Sequence, residues 1–161
     1  MLKYFLIVWI ISLSFLMYSC SKEQRVCCGP PDPELFIFGT YFGHCQGEHC
    51  VKMFKIENEK LFEDTLDIIP YQDFLTGMFV QLPDSSYQRS KILFQKIPQF
   101  LFNENKHVYG CPDCGDWGGM YLEIKIGSVH RSWLIDLKDN SLPTDLITLK
   151  DEVVRIVNEI H

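Results

Sequence analysis

With 161 residues, 47% of them hydrophobic and 14% aromatic, the chain is sized for one globular domain plus a targeting segment, and two full domains would be crowded. Its 15 Lys and Arg against 21 Asp and Glu leave a formal charge of −6, and no run of basic residues is longer than two. That balance argues against nucleic acid as a partner, because such binding draws its affinity from Lys and Arg on phosphates. An acidic, soluble surface is expected instead.

Lys3 is followed by an apolar run from Tyr4 through Ile11 that continues, interrupted only by Ser12 and Ser14, to Tyr18. A charged start and a short apolar stretch make a signal peptide, whereas a spanning helix needs about 20 apolar residues. The stretch Leu16, Met17, Tyr18, Ser19, Cys20 resembles a lipobox, in which a small residue precedes the cysteine that receives diacylglycerol before cleavage. Met17 and Tyr18 depart from the commonest form of that motif. The resemblance implies that residues 1–19 are a lipoprotein signal peptide, that Cys20 is lipidated, and that the protein is held to a membrane through its N-terminal lipid. An uncleaved N-terminal anchor is the alternative.

Residues 20–33 are polar and then rich in turn formers (Gly29, Pro30, Pro31, Pro33), which reads as a flexible tether. A single domain is expected over 34–161. Leu35 to Phe38 start an aromatic and branched strand ending at Gly43, the chain turns across Cys45 to His49, and Cys50 to Glu57 return as a second strand. Residues 58–84 are broken by Pro70, Gly77 and Pro83, with only a short strand around Lys60 to Glu63. A helix capped at Asp84, Ser85 or Ser86 carries Leu93, and runs to about Lys96, where Pro98 must kink or restart it as a short second helix to Phe102.

Met120, Leu122, Ile124 and Ile126 alternate with Tyr121, Glu123 and Lys125, the period of a strand with one buried face. Gly127 and Ser128 suit a tight turn into a return strand through Val129, Trp133, Ile135 and Leu137. After Pro143, Leu149, Val153, Ile156, Val157 and Ile160 form the stripe of an amphipathic helix. The fold class expected is α+β, a two-layer sandwich in the order ββαββα, with an antiparallel sheet of about four to five strands and two main helices.

Six cysteines remain beside Cys20. Cys27 and Cys28 lie in the tether and receive no role. Cys45 and Cys50 sit at the first hairpin tip, and Cys111 and Cys114 in the turn before the third strand; both turns can lie at one end of the sheet. An exported, oxidising setting favours disulfides among these four as loop staples, although spacing alone does not fix the pairing.

Cys111-Pro112-Asp113-Cys114-Gly115 also resembles the knuckle of zinc ribbons and rubredoxins. That resemblance implies a structural zinc ion on Cys45, Cys50, Cys111 and Cys114, with His44 and His49 as substitutes. The first cluster has four intervening residues where a ribbon has two. A C-P-x-C element resembles thioredoxin-like redox pairs as well, but here the motif leads into a strand rather than an activating helix, and Asp113 and Asp116 disfavour a thiolate.

Other chemistry is sparse. His130 falls on the face of a strand opposite the core and reads as a surface histidine. Asp113, Asp116 and Asp136 fit no calcium loop and read as turn residues. There is no nucleophile elbow and no phosphate-binding loop.

Together, the lipobox, the Phe38 to Cys45 stretch, the Gly110 to Gly119 element and the C-terminal helix resemble small lipoproteins of Bacteroidota. That resemblance implies a bacterial cell-envelope address and no particular activity. The expected function is a lipid-anchored envelope protein, non-enzymatic, binding another protein or a small ligand. The alternative is a thiol redox or zinc-dependent protein centred on the Cys111 to Cys114 element. No cofactor is expected on the first reading.

Overall fold

The computed structural model describes residues 32–45, 49–70 and 74–160. Cys20, Cys27, Cys28, the signal segment and the tether up to Pro31 lie outside the described residues. The strand β1 (Leu35–Tyr41) is buried from Phe36 onward. A run that is apolar at successive positions needs cover on both faces and neighbours on both edges. It has them: β1 pairs antiparallel with β2 (Val51–Glu57) on one side and with β6 (Gly119–Ile126) on the other. At Gly39 a Cβ would collide with the Lys52 carbonyl and the Met53 side chain.

The sheet continues outward through β3 (Lys60–Asp64) and β4 (Phe79–Gln81) on one flank, and β7 (Val129–Asp136) and β5 (Val108–Tyr109) on the other. Among the described strands only the pairing of β5 with β7 is parallel. The fold is α+β as expected, but the sheet has seven strands rather than four or five, and the order ββαββα does not describe it. The strands missed at this level, β4 and β5, are the two edges of the sheet, and at three and two residues they are too short to display a period. Short edges also limit pairing with other chains.

The β2–β3 turn places Asn58 and Glu59 at φ 52° and 58°, the hand that tight hairpins favour. Gly127 at φ 55° closes the β6–β7 hairpin in the expected place.

Helices cover one face. α1 (Asp84–Ser90) passes into a 3-10 turn (Lys91–Lys96), so the single helix expected to about Lys96 changes winding at Ser90. Ile97 is extended, as the residue before proline tends to be, and the Pro98 carbonyl then accepts the Leu101 N–H to start α2 (Phe100–Asn103). The long α3 (Thr144–Ile160) lays Leu146, Leu149, Val153, Ile156 and Val157 against Phe36, Phe38, Leu122, Trp133 and Ile135. Each of those helix side chains is buried to 1% exposure or less, and each such burial contributes about 1.5–3 kcal/mol.

The opposite face is covered too, which the sequence pattern of β6 did not indicate. Ile37, Tyr41, Val51, Met53 and Tyr121 pack there beneath Ile69, Leu75 and Phe79. The aperiodic segment after β3 is thus a cover rather than a surface loop. Asp64, buried at its base, accepts the N–H groups of Leu66 and Met78 on one carboxylate oxygen, at 3.2 and 2.8 Å, and so draws the two ends of the segment together.

Candidate functional site

β1 ends, β2 begins and β6 begins at the same end of the sheet, as the pairs Tyr41 with Val51 and Tyr41 with Gly119 record. The two cysteine clusters therefore meet there, as the order of elements suggested. Cys45 and Cys50 are at disulfide distance with Cα atoms 5.3 Å apart, and so are Cys111 and Cys114 at 5.4 Å. Both separations lie within the range that a disulfide spans. Each pair closes its own turn, and neither crosses to the other.

The clusters are joined by hydrogen bonds instead. Asp113 accepts the Gly43 N–H at 3.0 Å and the Gly118 N–H at 3.2 Å, so one carboxylate holds the first loop to the second and closes the second on itself. Asp136, buried in β7, accepts the N–H groups of Cys111 and Lys138, both at 2.9 Å. His44 Nε2 lies 3.3 Å from the Asp116 carboxylate, an exposed pair that solvent and salt screen. Asp113 and Asp136 thus serve loop architecture, as expected of turn aspartates.

The result is a shallow hollow of about 210 Å³ lined by Phe42, His44, Cys45 and Asp116. Beside Asp116 stands Trp117, half exposed at 52%, with the Lys138 ammonium over its ring. Cys111 and Cys114 are exposed, whereas Cys50 is 5% exposed.

Among the described residues no three or more His, Cys, Asp or Glu side chains are grouped to hold a metal ion. The zinc alternative on Cys45, Cys50, Cys111 and Cys114 needs four sulfurs facing one point, and these sulfurs face each other in two pairs. Among the described residues, also, no helix is long and apolar enough to cross a membrane.

A second polar cluster escaped the sequence reading. Glu123 is 1% exposed, and its carboxylate accepts the Tyr121 hydroxyl at 2.6 Å and the Leu75 N–H at 2.9 Å, while its other oxygen lies 2.8 Å from His130 Nε2. The Phe74 ring stacks on His130 with centroids 3.4 Å apart. Burial, then the Glu123 hydrogen bond and charge, hold the proton on Tyr121 well above the ordinary tyrosine range. His130 is exposed, as expected of a surface histidine, but it is not without partners: through Glu123 and Phe74 it ties the cover segment to the sheet. The signal was present in the hairpin register, because a Gly127–Ser128 turn pairs Glu123 with Ser132 and Lys125 with His130, placing Glu123 and His130 diagonally on one face.

No protein-family model matches the sequence, and no curated protein matches it significantly.

Proposed function

We propose that this is a lipid-anchored protein of the bacterial cell envelope whose cysteine-closed loop end is a non-enzymatic binding surface for another envelope protein or a small ligand. The observation that carries the reading is the convergence of two separately closed loops, tied through Asp113, around an exposed tryptophan. Loops fixed in advance lose little conformational entropy on binding, and tryptophan is the side chain most enriched among residues that dominate interfaces. An oxidising compartment, implied by the lipobox-like segment ending at Cys20, is where such closures persist. The chain enters β1 at the end of the sheet away from these loops.

Two experiments test this. Cross-linking in intact cells from a photoreactive group at position 117 is expected to capture a discrete envelope partner, and to lose it when Asp113→Ala loosens the loops; capture unaffected by D113A would remove the loop end from the account. Fatty-acid labelling that persists in Cys20→Ala would remove the anchor.

A second reading, thiol–disulfide exchange at Cys111 and Cys114, is favoured by one observation, the exposure of both residues. Asp113 and Asp116 on either side of Cys114 oppose it, since negative charge raises the cost of a thiolate.

A further inference from the structure

At the end of the sheet away from the cysteines lies a larger hollow of about 440 Å³, within the size range of small-molecule sites. Its floor is apolar: Phe36 and Phe94, with ring centroids 6.1 Å apart, and Ile56. Its rim is polar and comes from three parts of the chain: Asp32 just before β1, Glu59 in the β2–β3 turn, and Tyr87 and Lys91 on the first helical segment. Ile92, 45% exposed, completes one wall.

The electrostatics of the rim are lopsided. After burial, the charges of Glu59 and then Asp32 are what raise the Tyr87 hydroxyl above the ordinary tyrosine range, so both carboxylates act on the same point from different elements. Among the described residues neither carboxylate forms an ion pair, in contrast to Glu123, Asp139 and Glu152. Lys91, the one base among the described lining residues, holds its ammonium over the Tyr87 ring at 5.9 Å from the centroid, where a ligand ammonium would displace it, and makes no ion pair with either acid among the described residues. Two carboxylates without an ion pair among the described residues, an aromatic face and an apolar floor are the recognition elements for an organic cation.

We propose that this hollow binds a ligand made of a protonated or quaternary amine on an apolar body. The ammonium sits between Asp32 and Glu59 against Tyr87, and the hydrocarbon part lies on Phe36, Ile56 and Phe94. The site is at the opposite end of the sheet from the loop surface, so either stands without the other.

The test uses the full chain and three probes of one shape: 2-phenylethylammonium, 2-phenylethanol and phenylacetate. Binding is followed by the amide shifts of residues 56, 59, 87 and 92. The ammonium is expected to bind at least about tenfold more tightly than the alcohol, and the carboxylate most weakly. The doubly neutralised variant Asp32→Asn, Glu59→Gln should abolish that preference, and both changes keep the side-chain shape at exposed positions. Lys91→Gln should strengthen ammonium binding. Equal binding of ammonium and alcohol, preference for phenylacetate, an unchanged preference in the double variant, or shifts confined to other residues would each overturn the proposal.

Discussion

The two ends of the sheet are held together by different physics. At the cysteine end, two cysteine pairs at disulfide distance close the loops, and Asp113 and Asp136 complete them by accepting four backbone N–H groups. Toward the other end no cysteine is present among the described residues. There the ties are ionic and hydrogen-bonded: Glu123 to His130, Tyr121 and Leu75, and Glu34 to Lys125 and the Gly127 N–H. The larger hollow lies at this end too, on the helix-covered face of the sheet, where Phe36 and Phe94 form its floor.

Removing the buried carboxylate should have the largest effect. Glu123→Ala strands the Tyr121 hydroxyl and the Leu75 N–H, and a loss of about 3 kcal/mol is expected from the urea midpoint. Reductant should add to that loss independently, because the cysteine end is separate; non-additive losses would show that the two ends are one cooperative unit.

Replacing both Cys45 and Cys50 by alanine should cost about 2 kcal/mol by the loop-entropy account of a short closure. Hydrogen exchange should place the effect: the Gly43 amide, bonded to Asp113, loses protection while the Leu75 amide, bonded to Glu123, keeps it. His130→Ala should be milder, about 1 kcal/mol, since the Glu123 carboxylate retains its Tyr121 and Leu75 donors.

The smallest effect lies on the helix layer. Hydrogen bonds from Arg155, then from Lys96, hold the Glu152 carboxyl down at about 2. A depressed carboxylate contributes stability that is complete above its unfolded value near 4.5 and is lost as pH falls through about 2. The pairs are near the surface, so the contribution is below about 1 kcal/mol. Glu152→Gln should flatten the acid limb of the stability curve over that window without altering either end of the sheet.

Much of this was legible in the residues. The alternation in β6, the Gly127–Ser128 turn and the apolar stripe of α3 each obey one period, and each element formed where its period ran. The meeting of the cysteine loops also followed from strand order. What was not legible is the second buried face. Ile69 and Leu75, which cover it, lie in a segment without period, so nothing marked that segment as core, and Tyr121 and Glu123 were assigned to solvent. The warning sign was β1, where Ile37 and Tyr41 are as apolar as Phe36 and Phe38 on the other face. A strand that is apolar on both faces demands two covers.

Intact mass measurement of the protein taken from its own membranes, before and after reduction and alkylation, decides between a lipid-anchored, disulfide-closed protein and the alternatives. The expected result is a chain that begins at Cys20 with the added mass of a lipid, and that accepts alkyl groups at Cys45, Cys50, Cys111 and Cys114 only after reduction. A mass that retains residues 1–19, or alkylation of those four cysteines without reduction, would contradict it.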